Sequence, residues 1–353
     1  MLYHEKNRSN HRVNAQRKEQ CPVKQSPGRL EDVSSTDTLH PELVAVIENI
    51  ERVIVGKRAV IVKLICALLA QGHVLLDDVP GVGKTTLAKA LAGTLDLHYA
   101  RIQFTPDLLP TDVTGVSIYN PAQGGFVFQP GPVFSNLLLA DEINRTSPRT
   151  QSALLEVMEE NQVTVDGVAH ILTPPFMVLA TQNPIEYEGT FPLPESQLDR
   201  FLFRLTLGYP TLEEETAMLE RVARVHPLRQ LSPVLSQEQL VALMEQVPAV
   251  HVSLSMRQYI AQLAIKTREH PRVYLGMSPR ATIALQRASQ AWAFVHGRDF
   301  VIPDDIRVLL TEVVAHRIII KGGNRRQQIS AAHDILLDVL QQVSIPDHER
   351  RER

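Results

Sequence analysis

Polar and apolar positions divide the chain into three stretches. Residues 1–38 mix Lys, Arg, Glu, Asn and Ser with almost no apolar periodicity. They cannot bury enough surface to offset their ordering entropy, so a disordered polar tail is predicted there. From His40 the spacing turns helical: Leu43, Val46, Ile47 and Ile50 recur at three and four, and after the turn Val55-Gly56-Lys57 a second helix runs through Leu69. Short apolar runs follow at 73–76, 136–140, 176–180 and 201–203, with helical stretches such as 86–95 and 150–160 between them. Continuous apolar strands alternating with helices indicate a parallel sheet covered on both faces, so residues 39–210 are predicted to form an α/β core.

Two hairpin signals interrupt that rhythm. Alternating segments at 116–119 and 126–128 flank Asn120-Pro121-Ala122-Gln123-Gly124-Gly125, and the segment 163–168 has Asp166-Gly167 at its turn. After Pro210 the pattern changes to helices with polar starts, at 213–225, 236–245, 255–269, 278–295 and 303–321. These predict an all-helical second domain over 211–345.

Length agrees with that division, since 353 residues make two domains of ordinary size. With 44% hydrophobic and 21% charged residues the composition is that of a globular protein, which excludes collagen-like and wholly disordered chains. The net charge of −3 gives no bulk attraction to nucleic acid or anionic lipid. Arg317, Lys321, Arg325 and Arg326 form the one local basic cluster. Cys21 and Cys66 offer neither a disulfide framework nor metal-ligand spacing. The apolar stretch 59–76 is broken by Lys63, Gln71, Gly72 and His73, too often for a membrane span, and residues 1–20 lack the apolar core of a secretory signal. A cytoplasmic protein is expected.

The strongest chemical signal is Gly81-Val82-Gly83-Lys84-Thr85-Thr86, between the strand at 73–77 and a helix. A glycine-rich turn lets successive N–H groups converge on phosphate oxygens, a lysine adds a point charge, and the Thr85 hydroxyl can hold Mg²⁺. Pro80 opens this loop. The usual pattern begins with one more glycine, and Asp78 stands in its place. The second signal is the apolar run ending in Asp141-Glu142, which delivers two carboxylates where open parallel sheets bind ligands. Asp141 can orient Mg²⁺, and Glu142 can polarise the water that attacks a γ-phosphate. After the strand at 176–180, Thr181-Gln182-Asn183-Pro184 places the Asn183 amide beside those acids.

Taken together, Asp77-Asp78-Val79-Pro80-Gly81-Val82-Gly83-Lys84-Thr85, Gln103-Phe104-Thr105-Pro106-Asp107-Leu108-Leu109-Pro110, Asp141-Glu142-Ile143-Asn144-Arg145, Ala180-Thr181-Gln182-Asn183-Pro184 and Gln197-Leu198-Asp199-Arg200-Phe201 resemble the MoxR branch of the AAA+ ATPases over about residues 40–335. The resemblance implies a P-loop NTPase core with a helical lid, ATP and Mg²⁺ as cofactors, and a homo-oligomer, a hexameric ring with nucleotide between neighbours. It implies that Arg200 acts in trans as an arginine finger, with Arg145 and Arg149 as rivals, and that Arg280, in the capped stretch Gly276-Met277-Ser278-Pro279-Arg280, is the sensor 2 cation. Val55 and Gly56 resemble the segment that lies against adenine, and the two hairpins resemble insertions that face the ring pore.

The function implied is remodelling or maturation of a protein client, with a partner bearing a von Willebrand factor A domain. Two alternatives remain at this point: a nucleic-acid motor, which an acidic chain without a nucleic-acid module disfavours, and a nucleotide-gated binding module with little turnover.

Overall fold

A computed structural model of the protein describes residues 39–183, 190–222, 227–322 and 325–346. The tail predicted over 1–38 lies outside the described residues, as do 184–189 and 223–226. The chain opens with α1 (Pro41–Glu51) and α2 (Arg58–Leu69), whose Leu43, Val46, Ile47, Ile50, Leu64 and Leu68 are buried as the periodicity requires. It continues through β1 (His73–Asp77), α3 (Lys84–Thr94), β2 (Tyr99–Gln103) and the short α4 (Pro110–Thr114). The first predicted hairpin is β3 (Gly115–Asn120) with β4 (Gly125–Pro130). Then come β5 (Leu137–Asp141), α5 (Pro148–Glu160) and the second hairpin, β6 (Gln162–Val165) with β7 (Val168–Ile171). The core closes with β8 (Met177–Gln182), α6 (Glu195–Leu198) and β9 (Phe201–Leu205).

The five-stranded sheet runs β2-β5-β8-β1-β9, all parallel. Successive strand residues point to opposite faces, and two apolar clusters follow. Val74, Leu76, Leu137, Leu139, Met177 and Leu179 belong to one cluster, and Leu75, Leu138, Ala140, Val178 and Ala180 to the other. The first cluster continues into Leu240, Leu263, Leu285, Leu309 and Leu336, so the C-terminal helices pack on that side. On the other side Leu154, Leu155 and Met158 of α5 cover the sheet. The hairpins meet where Phe128 stacks on His170 with ring centroids 4.0 Å apart.

The C-terminal part comprises α7 (Leu212–Val222), α8 (Gln237–Gln246), α9 (Leu254–Glu269), β10 (Val273–Leu275), α10 (Pro279–Val295), α11 (Pro303–Val314), β11 (Ile319–Ile320) and α12 (Arg325–Gln342). Ser236 and Ser278 cap their helices as predicted, and Ser253 caps the helix predicted to start at Ser255; each accepts the N–H three residues on. Two features differ: α12 is a helix that the pattern does not predict, and one boundary moves by several residues. The helix predicted over 303–321 ends at Val314, because the next turn drives His316 and Arg317 inward. His316 Nε2–H and Arg317 Nη2–H both donate to the carbonyl of Phe201, at 2.9 and 2.7 Å. Beyond it Ile319–Ile320 pairs with β10 in a short ribbon, the strand content of an otherwise helical lid. Among the described residues no helix is long and apolar enough to cross a membrane.

Candidate nucleotide site

All five strands of the sheet end on one edge, and that edge gathers the predicted chemistry. The loop between β1 and α3 turns through Gly81 (φ +88°) and Gly83 (φ +96°), a left-handed conformation that glycine adopts without strain. A Cβ placed on either glycine would meet nothing within 4 Å. The loop therefore borders open space, with Pro80 and Gly81 exposed and Val82, Thr85 and Thr86 half-buried. Lys84, the first residue of α3, is turned back onto the loop: Nζ donates to the carbonyls of Asp78 (2.6 Å) and Val79 (3.3 Å). Burial lowers the Lys84 pKa, and the carboxylates of Asp78, Asp141, Asp77 and Glu142 pull it the other way. A cation ringed by acids and held only by carbonyls, above the N-terminus of a helix, fits a phosphate with a divalent ion.

The acids come from the neighbouring strands. Asp141 ends β5, where it pairs with Gln103 at the end of β2. Its Oδ1 accepts the Thr181 hydroxyl at 2.6 Å, and its Oδ2 accepts Arg101 Nη2 at 2.6 Å. The same Thr181 oxygen accepts the Glu142 N–H at 2.9 Å. Glu142 itself has a left-handed backbone, φ 58° and ψ 48°. Its Oε2 accepts Gln103 Nε2 at 2.7 Å and Arg145 Nη1 at 3.1 Å. Asn183 is buried directly after β8, whose last residue Gln182 pairs with Asp77 of β1. It thus emerges between the phosphate loop and the acids.

Arg101, Gln103 and Thr181 are functional candidates that residue-by-residue reasoning missed. Arg101 and Gln103 lie on one face of β2, an edge strand that hydrophobic patterning does not reveal. Thr181 reads as an ordinary strand residue until its hydroxyl is seen between both acids.

Val55 and Gly56 lie between α1 and α2, Val55 half-buried and Gly56 at φ +72°. Their surroundings include a group from far along the chain. A Cβ on Gly56 would come within 1.8 Å of Glu214 Oε1. Lys57 Nζ pairs with Glu214 Oε2 at 3.3 Å and donates to the Tyr209 carbonyl at 3.1 Å.

The predicted trans cation, Arg200, and the predicted sensor 2 cation, Arg280, are elsewhere. Arg200 immediately precedes β9, whose first residue pairs with His73, the first residue of β1. The phosphate loop follows the other end of β1, about 13 Å away at strand spacing. Arg200 Nη2 pairs with Glu159 Oε2 at 3.0 Å, and Nη1 donates to the Leu155 carbonyl at 2.5 Å. Arg280 Nη2 takes the other oxygen of Glu159 at 2.5 Å. A cation in the first turn of a helix needs an anion, and here α5 supplies it. Asp199 is engaged separately, by Ser278 Oγ at 3.3 Å and Arg317 Nε at 3.5 Å. Of the rivals, Arg145 stands beside Glu142, while Arg149 is exposed in the first turn of α5.

The chain resembles known proteins over most of its length. Residues 73–203 match the family described as ATPases associated with various cellular activities (AAA), and residues 265–337 match the AAA lid domain. YeaC of Bacillus subtilis is 52% identical over 310 residues, covering 88% of this chain and 97% of that one. Chaperone MoxR1 of Mycobacterium tuberculosis is 40% identical over 308 residues, covering 84% and 81%. A crystal structure from Cytophaga hutchinsonii superposes with a TM-score of 0.79 at 39% identity, covering 87% of this chain and 95% of its own.

Proposed function

The chain belongs to the MoxR family of AAA+ ATPases, and on that premise we propose that it binds and hydrolyses ATP as one subunit of a ring and uses the cycle to remodel or mature a protein client. The observation that carries this reading is the convergence, on one edge of the sheet, of the two-glycine loop with Lys84, the acids Asp141 and Glu142, and Asn183. The core of this machine spans 39–210 and the lid 211–345.

In this reading Pro80, Gly81, Val82, Gly83, Lys84, Thr85 and Thr86 cradle the triphosphate, and Val55 and Gly56 lie against the base. Thr85 and Asp141 hold Mg²⁺, which when bound offsets phosphate charge. Glu142 accepts a proton from the attacking water, and the Asn183 amide orients that water. Thr181 fixes both acids at once through a single oxygen. Arg200 and Arg280 sit at the far end of the sheet from their own phosphate loop, so the nucleotide they serve is a neighbour's. A guanidinium supplied in trans is worth about 10³–10⁵ in rate in related phosphoryl transfers. A hexameric ring, a partner with a von Willebrand factor A domain and a cytoplasmic setting complete the proposal, and the name of the mycobacterial relative supports the chaperone part of it.

Calorimetry tests the site directly. The parent chain should bind ATP in the presence of Mg²⁺, and Lys84→Ala should lose at least about 100-fold in affinity, since it removes the cation aimed at the phosphates. Equal affinity in the two proteins would refute the assignment.

A further inference from the structure

The chain leaves the sheet for the lid through residues 206–211, between β9 and α7, and this connection is bonded to both nucleotide-binding segments. Asp78 stands where the usual phosphate loop has glycine. It is 4% exposed and uses both carboxylate oxygens on the connection: Leu207 N–H donates to Oδ2 at 2.5 Å and Gly208 N–H to Oδ1 at 3.1 Å. The main-chain carbonyl of the same residue accepts Lys84 Nζ at 2.6 Å. One residue thus holds the lysine with its backbone and the start of the lid connection with its side chain.

Neighbouring contacts repeat the arrangement. Asp77 pairs with Arg204 of β9, and its carbonyl accepts the Thr206 hydroxyl at 3.4 Å. Farther along, Lys57 of the turn beside the base holds Tyr209 and Glu214. Gly208 has φ +67°, and a Cβ there would meet nothing within 4 Å, so its glycine answers to backbone conformation, as a pivot requires. Burial raises the Asp78 pKa, and the two N–H donors and Lys84 oppose that.

We propose that Asp78 is a positioning residue that couples occupancy of the phosphate loop to the orientation of the lid. Phosphate draws Lys84 Nζ off the carbonyls of Asp78 and Val79; the loop entry shifts, and the carboxylate carries the shift to Leu207 and Gly208. Glycine at this position would cradle phosphate equally well and transmit nothing. The inference rests on the nucleotide reading above and adds the link between site and lid.

The test is hydrogen exchange on the full chain with and without a non-hydrolysable ATP analogue, alongside calorimetry with the same analogue and steady-state kinetics. In the parent, exchange over 206–214 should change on binding. Asp78→Gly, and Asp78→Asn, which keeps the side-chain shape but only one acceptor oxygen, should bind the analogue within about threefold of the parent, with KM similarly unmoved. The exchange change should fall to under about a third of its parental size, and kcat about tenfold. An undiminished exchange change in both variants overturns the coupling, as does a parent that binds the analogue with no change over 206–214. Loss of analogue binding in both folded variants also overturns it, by making Asp78 part of the phosphate site. Failure of the parent itself to bind sinks the nucleotide reading, and calorimetry separates that result from the others.

Discussion

Arg280, in the first turn of a lid helix, is joined to Glu159, at the end of a core helix, with 2.5 Å between Nη2 and Oε1. The second oxygen of Glu159 holds Arg200, so a core cation and a lid cation are gathered at one point on the side of the protomer away from its own phosphate loop. The proposed trans role then requires both. Arg200→Ala and Arg280→Ala should each bind ATP within about threefold of the parent and hydrolyse it about 100-fold or more slowly. Mixing Arg200→Ala with Glu142→Gln should restore activity at the interfaces that combine an intact acid with an intact arginine, roughly a quarter of them in an equal mixture. Phosphate release from the separate and mixed proteins measures this.

Thr181 offers a sharper test of the acids. Its hydroxyl donates to Asp141 and accepts from the Glu142 N–H. Thr181→Val keeps the shape and strands both partners, which should lower stability by about 1–3 kcal/mol and kcat by about tenfold or more. Thr181→Ser keeps the oxygen and should restore most of the rate. Urea unfolding and steady-state kinetics on the two variants separate the effects.

Acid should weaken the fold through two buried histidines. His73 donates from Nε2 to the Met158 carbonyl and accepts the Val178 N–H at Nδ1, and burial lowers its pKa to about 4. His316 is shifted in the same direction by burial and by Arg317. The unfolded chain, with pKa near 6.5, takes up protons that the native protein refuses, so stability is full above about pH 6.5 and is lost as the pH falls toward 4. The expected slope is about 1.4 kcal/mol per pH unit for each histidine. Denaturant melts at pH 7.5, 6 and 5 should show it, with a shallower slope in His73→Gln.

Gly56 and Glu214 are the remaining pair to probe. With φ +72° and a carboxylate oxygen 1.8 Å from any Cβ, Gly56→Ala should destabilise the protein by about 1–3 kcal/mol. In a Glu214→Ala background the same change should cost about half as much, because only the backbone strain remains. A double-mutant cycle by urea melts reads the difference.

What patterning could reveal depended on burial. β1, β5, β8 and β9 are covered on both faces and read as apolar runs. β2 shows only Ile102 buried, its other residues being left uncovered, so Tyr99-Ala100-Arg101-Ile102-Gln103 carries no such signal. The overrun of α11 has a related cause: residues 315–320 remain apolar enough for a helix, and the stop is set by the Phe201 carbonyl from another element. In the site, the phosphate loop and the acids were legible because each motif is contiguous. The Glu159 link to Arg200 and Arg280, and the Glu214 contact at Gly56, join residues far apart in sequence, and only folding brings them together.

The left-handed backbone of Glu142 has a consequence for how this protein can evolve. A side chain in that conformation is strained by about 1 kcal/mol, which a glycine would relieve. The replacement that eases the backbone also deletes the carboxylate, along with its bonds to Gln103 and Arg145. Selection for an unstrained backbone alone would favour an inert form here, so retention of the acid is what the proposed turnover, rather than thermal endurance, would demand.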